Sequence, residues 1–317
     1  MHIKIVGCGG TGTEIVKLLQ QCKFPNDHAP IEYAIVDTSR SNLGGLTTDT
    51  KVFIIPGVNG SGGNRAENIN TIRQHLPAIM NTIEPGEFTI VIGSITGGSG
   101  SVIAPLYHGE CIGQEVPTVG LIIGSSESQR RLANGDATWK TYAGVCAAKA
   151  QPLVLHYAHN QGGNQQVANE ATISIVHALS ILCNDNNARL DTKDIENWLF
   201  YNRVTKAPPR VVLLDLATSI TEANEIVDPI SVVTLNNKVG YDVEFKNMPD
   251  YSTLGHTANL LGADELHFIL SADGVETCVA EMRKASDDVK AAKNARVNAS
   301  SMLTAKTVVE ADGFVLE

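Results

Sequence analysis

Three times in its first 110 residues the chain passes from a short β-branched run, through a glycine-rich loop, into a helical pattern. No other feature of the sequence constrains the fold as much. In the first unit, strand Ile3–Val6 leads into Gly7-Cys8-Gly9-Gly10-Thr11-Gly12-Thr13 and then an amphipathic helix through Glu14, Ile15, Val16, Leu18 and Leu19. In the second, Val52–Ile55 leads into Gly57-Val58-Asn59-Gly60-Ser61-Gly62-Gly63-Asn64 and a helix expected from Arg65 to about Leu76. In the third, Phe88–Gly93 leads into Ile95-Thr96-Gly97-Gly98-Ser99-Gly100-Ser101 and the apolar segment Val102–Tyr107. Glycines and hydroxyls between a strand and a helix let backbone N–H groups converge on an anion at the positive end of that helix. Each loop taken alone reads as well as a flexible turn.

A chain of 317 residues can bury a large core and is expected to divide into two domains. Its net charge of −10 argues against a nucleic-acid surface, which needs clustered Lys and Arg. No run approaches the ~18 apolar residues of a membrane span, and Met1–Val6 reads as a strand rather than a signal peptide, so a cytosolic protein is expected. Six cysteines, at 8, 22, 111, 146, 183 and 278, show no CxxC spacing and are expected to be buried small hydrophobes.

Gly7, Gly9 and Gly12 have GxGxxG spacing, and Asp37 ends the next strand, Tyr33–Val36, where a dinucleotide fold keeps its ribose-binding acid. An NAD-binding Rossmann oxidoreductase is therefore one reading. A dinucleotide fold needs one strong phosphate loop, however, and this chain offers three. Further units follow: strand Thr118–Ile123 with Ser125–Leu132, then a strand around Pro152, Val154 and Leu155 opening into Tyr157–Gly163. Such repetition implies a mostly parallel sheet covered on both faces, with the ligand at the carboxyl ends of the strands. A continuous helix is expected from Asn164 to Cys183, with Val167, Ala171, Ile175, Ala178 and Leu182 on its apolar stripe.

Beyond it Asp191 and Asp194 stand three residues apart at the start of a helix carrying Trp198, Leu199 and Phe200. An N-cap with a first-turn acid explains that pair completely. The last third reads as a second, smaller α+β domain, with strands at Arg210–Leu216, Ile230–Leu235, Val243–Phe245 and Leu266–Leu270. A long helix follows from about Val275 to Leu303, its face of Arg283, Lys284, Asp287, Asp288, Lys290, Lys293 and Arg296 solvated. The end, 304–317, mixes Val308, Val309, Phe314, Val315 and Leu316 with acids, and is expected to dock on something. His75, His108 and His177 have no partners at ligand spacing and read as structural or surface residues.

The order of these elements resembles the tubulin and FtsZ superfamily, and the small size resembles the phage-encoded tubulins of the PhuZ type. Thr96, Gly97, Gly98, Ser99, Gly100 and Ser101 resemble the superfamily's glycine-rich signature loop, which wraps the nucleotide's phosphates. Gly9, Gly10, Thr11 and Gly12 match its first phosphate loop, and Gly62, Gly63 and Asn64 its third. Glu127 and Arg131 sit where FtsZ proteins have an acid and a base near the ribose and phosphates. Asn160 falls near the asparagine that reads guanine, and Val167–Glu170, with Asn169, resembles the guanine-contacting start of the central helix. Leu190–Ile195 is similar to the synergy loop, whose acids, here Asp191 and Asp194, act on the neighbouring subunit's nucleotide. The chain departs from the family in Ser99, which replaces a threonine, and in Gln165, which stands where FtsZ proteins carry an aromatic that stacks on the base.

The resemblance implies an α/β fold with a Rossmann-like GTP-binding domain over 1–164, a central helix over 165–183, and an activation domain over 184–303. A subunit-contact tail over 304–317 completes it. It further implies a polymerisation-activated GTPase that takes GTP and GDP with Mg²⁺, assembles with itself head-to-tail, and contacts neither membrane nor nucleic acid directly. In an infected bacterium's cytoplasm such a filament positions phage DNA or capsids. No Walker lysine is present, so loop amides and the metal must carry the phosphate charge. A GTP-binding filament protein without significant hydrolysis, its two acids serving only as a helix cap, stays open beside this.

Overall fold

The computed structural model describes residues 1–24, 27–160, 165–238, 243–258 and 260–304. The first half winds β1 (Ile3–Cys8), α1 (Gly9–Gln21), β2 (Ile31–Asp37), β3 (Lys51–Ile54), α2 (Ile69–Thr82), β4 (Phe88–Ser94), α3 (Gly100–Gly113), β5 (Thr118–Ser125), α4 (Gln129–Lys149) and β6 (Leu153–Asn160). Helix α5 (Gln165–Leu182) then leads to α6 (Thr192–Leu199), β7 (Val211–Ala217), the short α7 (Ile220–Ala223), β8 (Pro229–Asn236), β9 (Tyr251–His256), β10 (Glu265–Ser271) and the long α8 (Asp273–Thr304).

The strands among the described residues join one sheet of order β3-β2-β1-β4-β5-β6-β7-β10-β8-β9. The first six run parallel, as buried β-branched runs joined by helices must. β7 extends the sheet from β6 through three register pairs, Leu153 with Val211 through Leu155 with Leu213, and β10 then lies antiparallel between β7 and β8. Side chains alternate across the sheet. Ile3 and Ile5 pack with α1, α5 and α6 on one face, whereas Val6 and Cys8 pack with α2 and α3 on the other. Cys8, Cys111, Cys146 and Cys183 are buried and unpaired, and Cys22 and Cys278 half-buried, as expected of small apolar side chains.

Several elements differ from the sequence reading. Helix α2 begins at Ile69, not Arg65, because residues 59–68 form a loop closed by Asn68 Nδ2 donating to the Gly60 carbonyl at 2.8 Å. It continues past Leu76 through Pro77 to Thr82, held on both sides of the proline by buried Ile72 and Ile79. On α5, Val167 (57 % exposed) and Ala171 face out, while Ala168, Thr172, Ile175, Val176 and Leu179 are buried. The five expected positions form one narrow stripe at the edge of the buried face, which includes Ile175, Ala178 and Leu182 but is displaced by one residue, to Ala168 and Thr172, at the amino end. The expected first residue of this helix, Asn164, lies outside the described residues, as do 305–317 of the expected tail. Residues 243–245 form no strand. The strand of this region is β9, masked in the sequence by Ser252, Thr253 and Gly255; the Cβ of any other residue at 255 would lie 2.9 Å from Leu190 Cβ.

Of the histidines, His75 bonds the Thr71 carbonyl and His177 packs edge-on to Phe24. His108 is fully enclosed beside Gly120 and edge-on to Tyr142, with neither ring nitrogen in hydrogen-bond geometry. Burial pushes its pKa down to about 3, offset only in part by the Thr118 backbone. The folded protein therefore holds it neutral while the unfolded chain protonates it below about 6.5. Its contribution is complete above that pH and is lost as pH falls toward 3, at up to about 1.4 kcal/mol per pH unit. Melting temperatures measured from pH 8 to pH 4 should accordingly fall less steeply for His108→Leu than for the parent; parallel curves would remove this histidine as a source of acid lability.

Candidate nucleotide site

Where β1, β2 and β4 end, the chain opens a cleft of about 380 Å³ lined by Gly10, Thr11, Asp37, Thr38, Ser39, Ser41, Asn42, Asn59, Gly60, Ser61, Ser94 and Gly97–Gly100, with Cys8 at its base. Beyond Gly10, Thr11, Asn42 and Ser94, which it shares, a second space of about 260 Å³ runs toward β5, β6 and α5. That space is lined by Glu14, Ile123, Gly124, Ser125, Arg131, Asn160, Gln165, Ala168 and Asn169. The first compartment presents backbone and hydroxyls, with a single carboxylate. The second presents side-chain amides and apolar surface, with the Glu14 carboxylate and the Arg131 guanidinium among them. This suits a ligand with an anionic end and a flat polar end.

The glycines are there for close approach. A Cβ on Gly12 would lie 2.4 Å from the Ile92 carbonyl oxygen, so only glycine lets α1 start against β4. A Cβ on Gly98 would lie 2.0 Å from Ser61 Oγ, which shows how tightly the loop after β4 meets the loop after β3. Gly9, at φ +66°, abuts the Gly100 backbone without lining the cleft itself. Thr96 and Ser101 are buried behind their loop; Ser101 Oγ donates to the Gly98 carbonyl at 2.9 Å. Thr38 and Ser99 join their hydroxyls at 2.5 Å across the cleft.

Asp37 lines the first compartment with both oxygens engaged, Oδ1 by Thr38 N–H at 2.6 Å and Oδ2 by Asn42 Nδ2 at 2.9 Å. It stands away from the amide-lined space, unlike a ribose-gripping acid. Of the loop after β3, Asn59, Gly60 and Ser61 line the cleft; Gly62, Gly63 and Asn64 do not, the carbonyls of Gly62 and Gly63 accepting from Arg130 and Asn134 and the Asn64 N–H donating to the Ser61 carbonyl. Glu127 lines neither compartment but pairs with Arg131 at 3.3 Å. Asn160, which lines the second compartment, is 5 % exposed, and its buried Oδ1 has no hydrogen-bond partner among the described residues. A buried acceptor left open in this way calls for a ligand N–H. Thr38, Ser39, Ser41, Asn42, Asn59 and Ser94 escaped the sequence reading, although four of them crowd into the six residues after β2, a signal that was available.

Asp191 and Asp194 lie elsewhere. They form a capping box on α6: Asp191 Oδ1 accepts from the N–H groups of Lys193 (2.8 Å) and Asp194 (3.1 Å), and Asp194 Oδ2 accepts from Asp191 N–H at 3.1 Å. Tyr251 of β9 donates to Asp194 Oδ1 at 3.3 Å, and burial followed by the Asp194 charge raises the tyrosine's pKa. The other oxygen of the exposed Asp191 meets no protein donor among the described residues. Asp191 and Thr192 share a small cavity of about 170 Å³ with Met1, at the amino end of β1, while Thr11 and the cleft stand at its carboxyl end. One six-residue strand, about 20 Å, separates them. The acids and the cleft therefore occupy opposite poles.

The full length of the chain is similar to known phage proteins. The family described as phage tubulin-like protein, C-terminal domain, matches residues 190–275. A phage tubulin-like protein of Pseudomonas phage 201phi2-1 is 27 % identical over 322 residues, covering 100 % of this chain and 99 % of that one. That of Pseudomonas phage phiKZ is 27 % identical, covering 99 % and 98 %. Among solved structures, a protofilament of TubZ from bacteriophage PhiKZ superposes with a TM-score of 0.85 at 28 % identity over 92 % of each chain. The phage tubulin PhuZ with GDP gives 0.82 at 26 % identity over 99 % of each. This chain is phage-tubulin-like and has the tubulin/FtsZ fold. FtsZ from M. jannaschii shares that fold at a TM-score of 0.63 and 15 % identity. In this phage-tubulin-like chain no helix among the described residues is long and apolar enough to cross a membrane, and no group of three or more His, Cys, Asp or Glu gathers as a metal site.

Proposed function

We propose that this chain binds and hydrolyses GTP and polymerises head-to-tail into filaments. The carrying observation is the separation of its two poles, with an open anion cleft at one and an acidic helix start at the other. A subunit's own acids cannot reach its own cleft, so a shared site needs a second copy. A contact between unlike poles does not close on itself and grows into a filament. The likeness to proteins solved as a protofilament, as a filament and with GDP supports this reading.

In it, residues 1–164 and the start of the central helix hold the nucleotide. Asn160 Oδ1 takes an N–H of guanine, Asn169 lies beside it, and the backbone of residues 10–11, 59–61 and 97–100 holds the phosphates. Mg²⁺ would supply countercharge among the phosphate oxygens, near Asp37 and the hydroxyls of Thr38, Ser39 and Ser99. The protein offers no carboxylate cage there, which suits an ion held mainly by substrate phosphates and water. Residues 184–303 of the next subunit bring Asp191 and Asp194 over the cleft, where a carboxylate orients the attacking water. The filament's place is the cytoplasm of an infected bacterium, where it positions phage DNA or capsids; at net charge −10 it does so without gripping nucleic acid.

A second reading, a GTP-binding filament protein without significant hydrolysis, is favoured by one observation: both acids already serve the helix cap. GTP turnover per subunit, measured against protein concentration with light scattering alongside, decides. Turnover per subunit is expected to rise steeply above the concentration at which scattering appears. Scattering with flat, negligible turnover would leave the second reading, and absence of scattering with GTP would sink both.

A further inference from the structure

The two outer phosphate loops do not rest on each other alone. Arg130, Asn134, Thr138 and Thr141 recur at helical spacing along one face of α4, and each reaches into those loops. Arg130 Nη1 donates to the Gly62 carbonyl at 3.3 Å. The single proton of Thr138 Oγ1 is shared between the carbonyls of Asn134, in its own helix, at 2.7 Å and Ile95 at 2.9 Å; the same oxygen accepts from Arg65 Nε at 3.3 Å, and Thr141 Oγ1 accepts from Arg65 Nη2 at 2.6 Å. Asn134 joins the loops directly. Its Nδ2, on a residue only 8 % exposed, lies 2.9 Å from the Gly63 carbonyl and 3.1 Å from those of Thr96 and Gly97. Two amide hydrogens are thus shared among three carbonyls from both loops.

We infer that Asn134 is a positioning residue that clamps the loop after β3 to the loop after β4 and so sets the far end of the phosphate track. This rests on the nucleotide reading above. The peptide unit whose carbonyl Asn134 holds at Gly97 carries the N–H of Gly98 on its opposite side, and Gly98 lines the cleft. The other two held units are pinned from both ends, since Gly97 N–H donates to Ser94 Oγ at 3.1 Å and Asn64 N–H to the Ser61 carbonyl at 2.7 Å. The clamp therefore fixes which way loop amides point without touching a ligand.

Sheet order says which phosphate feels it. The amide-lined space lies at β5 and β6, and from there the order β4, β1, β2, β3 leads away, so the loop after β3 stands farthest from the base. A terminal phosphate reaches that loop; the inner ones are held by the loops after β1 and β4. Releasing Asn134 uncouples the loop after β3 from the loop after β4 at Gly63, although Arg130 and Arg65 still hold it to α4, and acts on triphosphate more than on diphosphate.

The test is titration of fluorescent GTP and GDP analogues below the assembly threshold, for the parent, Asn134→Ala and Asn134→Gln. Asn134→Ala is expected to weaken triphosphate binding about tenfold more than diphosphate binding, the equivalent of one hydrogen bond to ordered carbonyls. A merely structural asparagine would lower both affinities alike, so an unchanged ratio overturns the clamp. If Asn134→Ala does not fold, Asn134→Gln, which keeps the amide but displaces it by a methylene, decides by the same ratio. Failure of the parent to bind either nucleotide sinks the functional reading itself, whereas equal binding by parent and variants sinks only the clamp.

Discussion

Asp194→Asn is expected to lower GTP turnover by assembled subunits about a hundredfold, the usual loss when one positioned polar group is removed from a reacting centre, while leaving assembly and melting temperature almost unchanged. The asparagine can still accept from Asp191 N–H and meet Tyr251, so the capping box survives and only the charge is lost. Asp194→Ala removes the N3 half of the capping box and the charge together, while Asp191 keeps its N-cap bonds. It should match the asparagine variant in turnover but unfold somewhat more easily, since the bonds from Asp191 N–H and the Tyr251 hydroxyl are lost. That pair of variants separates two roles that one side chain fills at once. A shared-site acid makes the two variants equally slow and unequally stable. A cap alone makes Asp194→Asn turn over like the parent, and the filament would then hydrolyse GTP by some other group or not at all. Asp191 is the natural comparison, because one of its carboxylate oxygens faces no protein donor among the described residues and is available to a neighbour without breaking the cap.

The reason this pair was ambiguous in the sequence is physical. DxxD at a helix start satisfies amide donors at that helix whatever else it does, so spacing cannot separate the uses; their place at the amino end of β1, opposite the cleft, is compatible with both, and turnover by the two variants separates them. The parallel half of the sheet was legible because buried strands such as Ile90–Ile92 and Leu121–Ile123 write uninterrupted β-branched and aliphatic runs, and glycines such as Gly12 mark places where backbones touch. β9 was not legible, since at the sheet's far edge Ser252 and Thr253 face partly outward and no apolar alternation is needed. In the cleft, the glycine loops announced themselves, but Asn134 did not. It sits inside a long helix, and only the folded chain shows that its amide meets carbonyls 37 and 71 residues away.

Asn160→Leu is expected to reduce the preference for GTP over ATP by about ten- to a hundredfold, from the loss of one buried acceptor worth roughly 1–3 kcal/mol when paired. The guanine edge offers N1–H and an exocyclic amine as donors side by side, whereas adenine offers one donor beside an acceptor. A buried Asn160 Oδ1 set opposite ring position 1 would meet a donor on guanine and an acceptor on adenine, and so favours the first. Without ligand the same atom is a destabilising element, desolvated and with no partner among the described residues. The leucine variant should consequently melt no lower than the parent when no nucleotide is present, even as it binds GTP worse. Asn160→Asp makes the opposite combination: it keeps an acceptor and hence guanine preference, but buries a charge and melts lower without nucleotide. Competition binding of GTP and ATP together with ligand-free melting curves reads both quantities on one set of samples. If the leucine variant keeps the parent's preference, the base is read elsewhere on the second compartment's wall, where Glu14, Gln165 and Asn169 also stand.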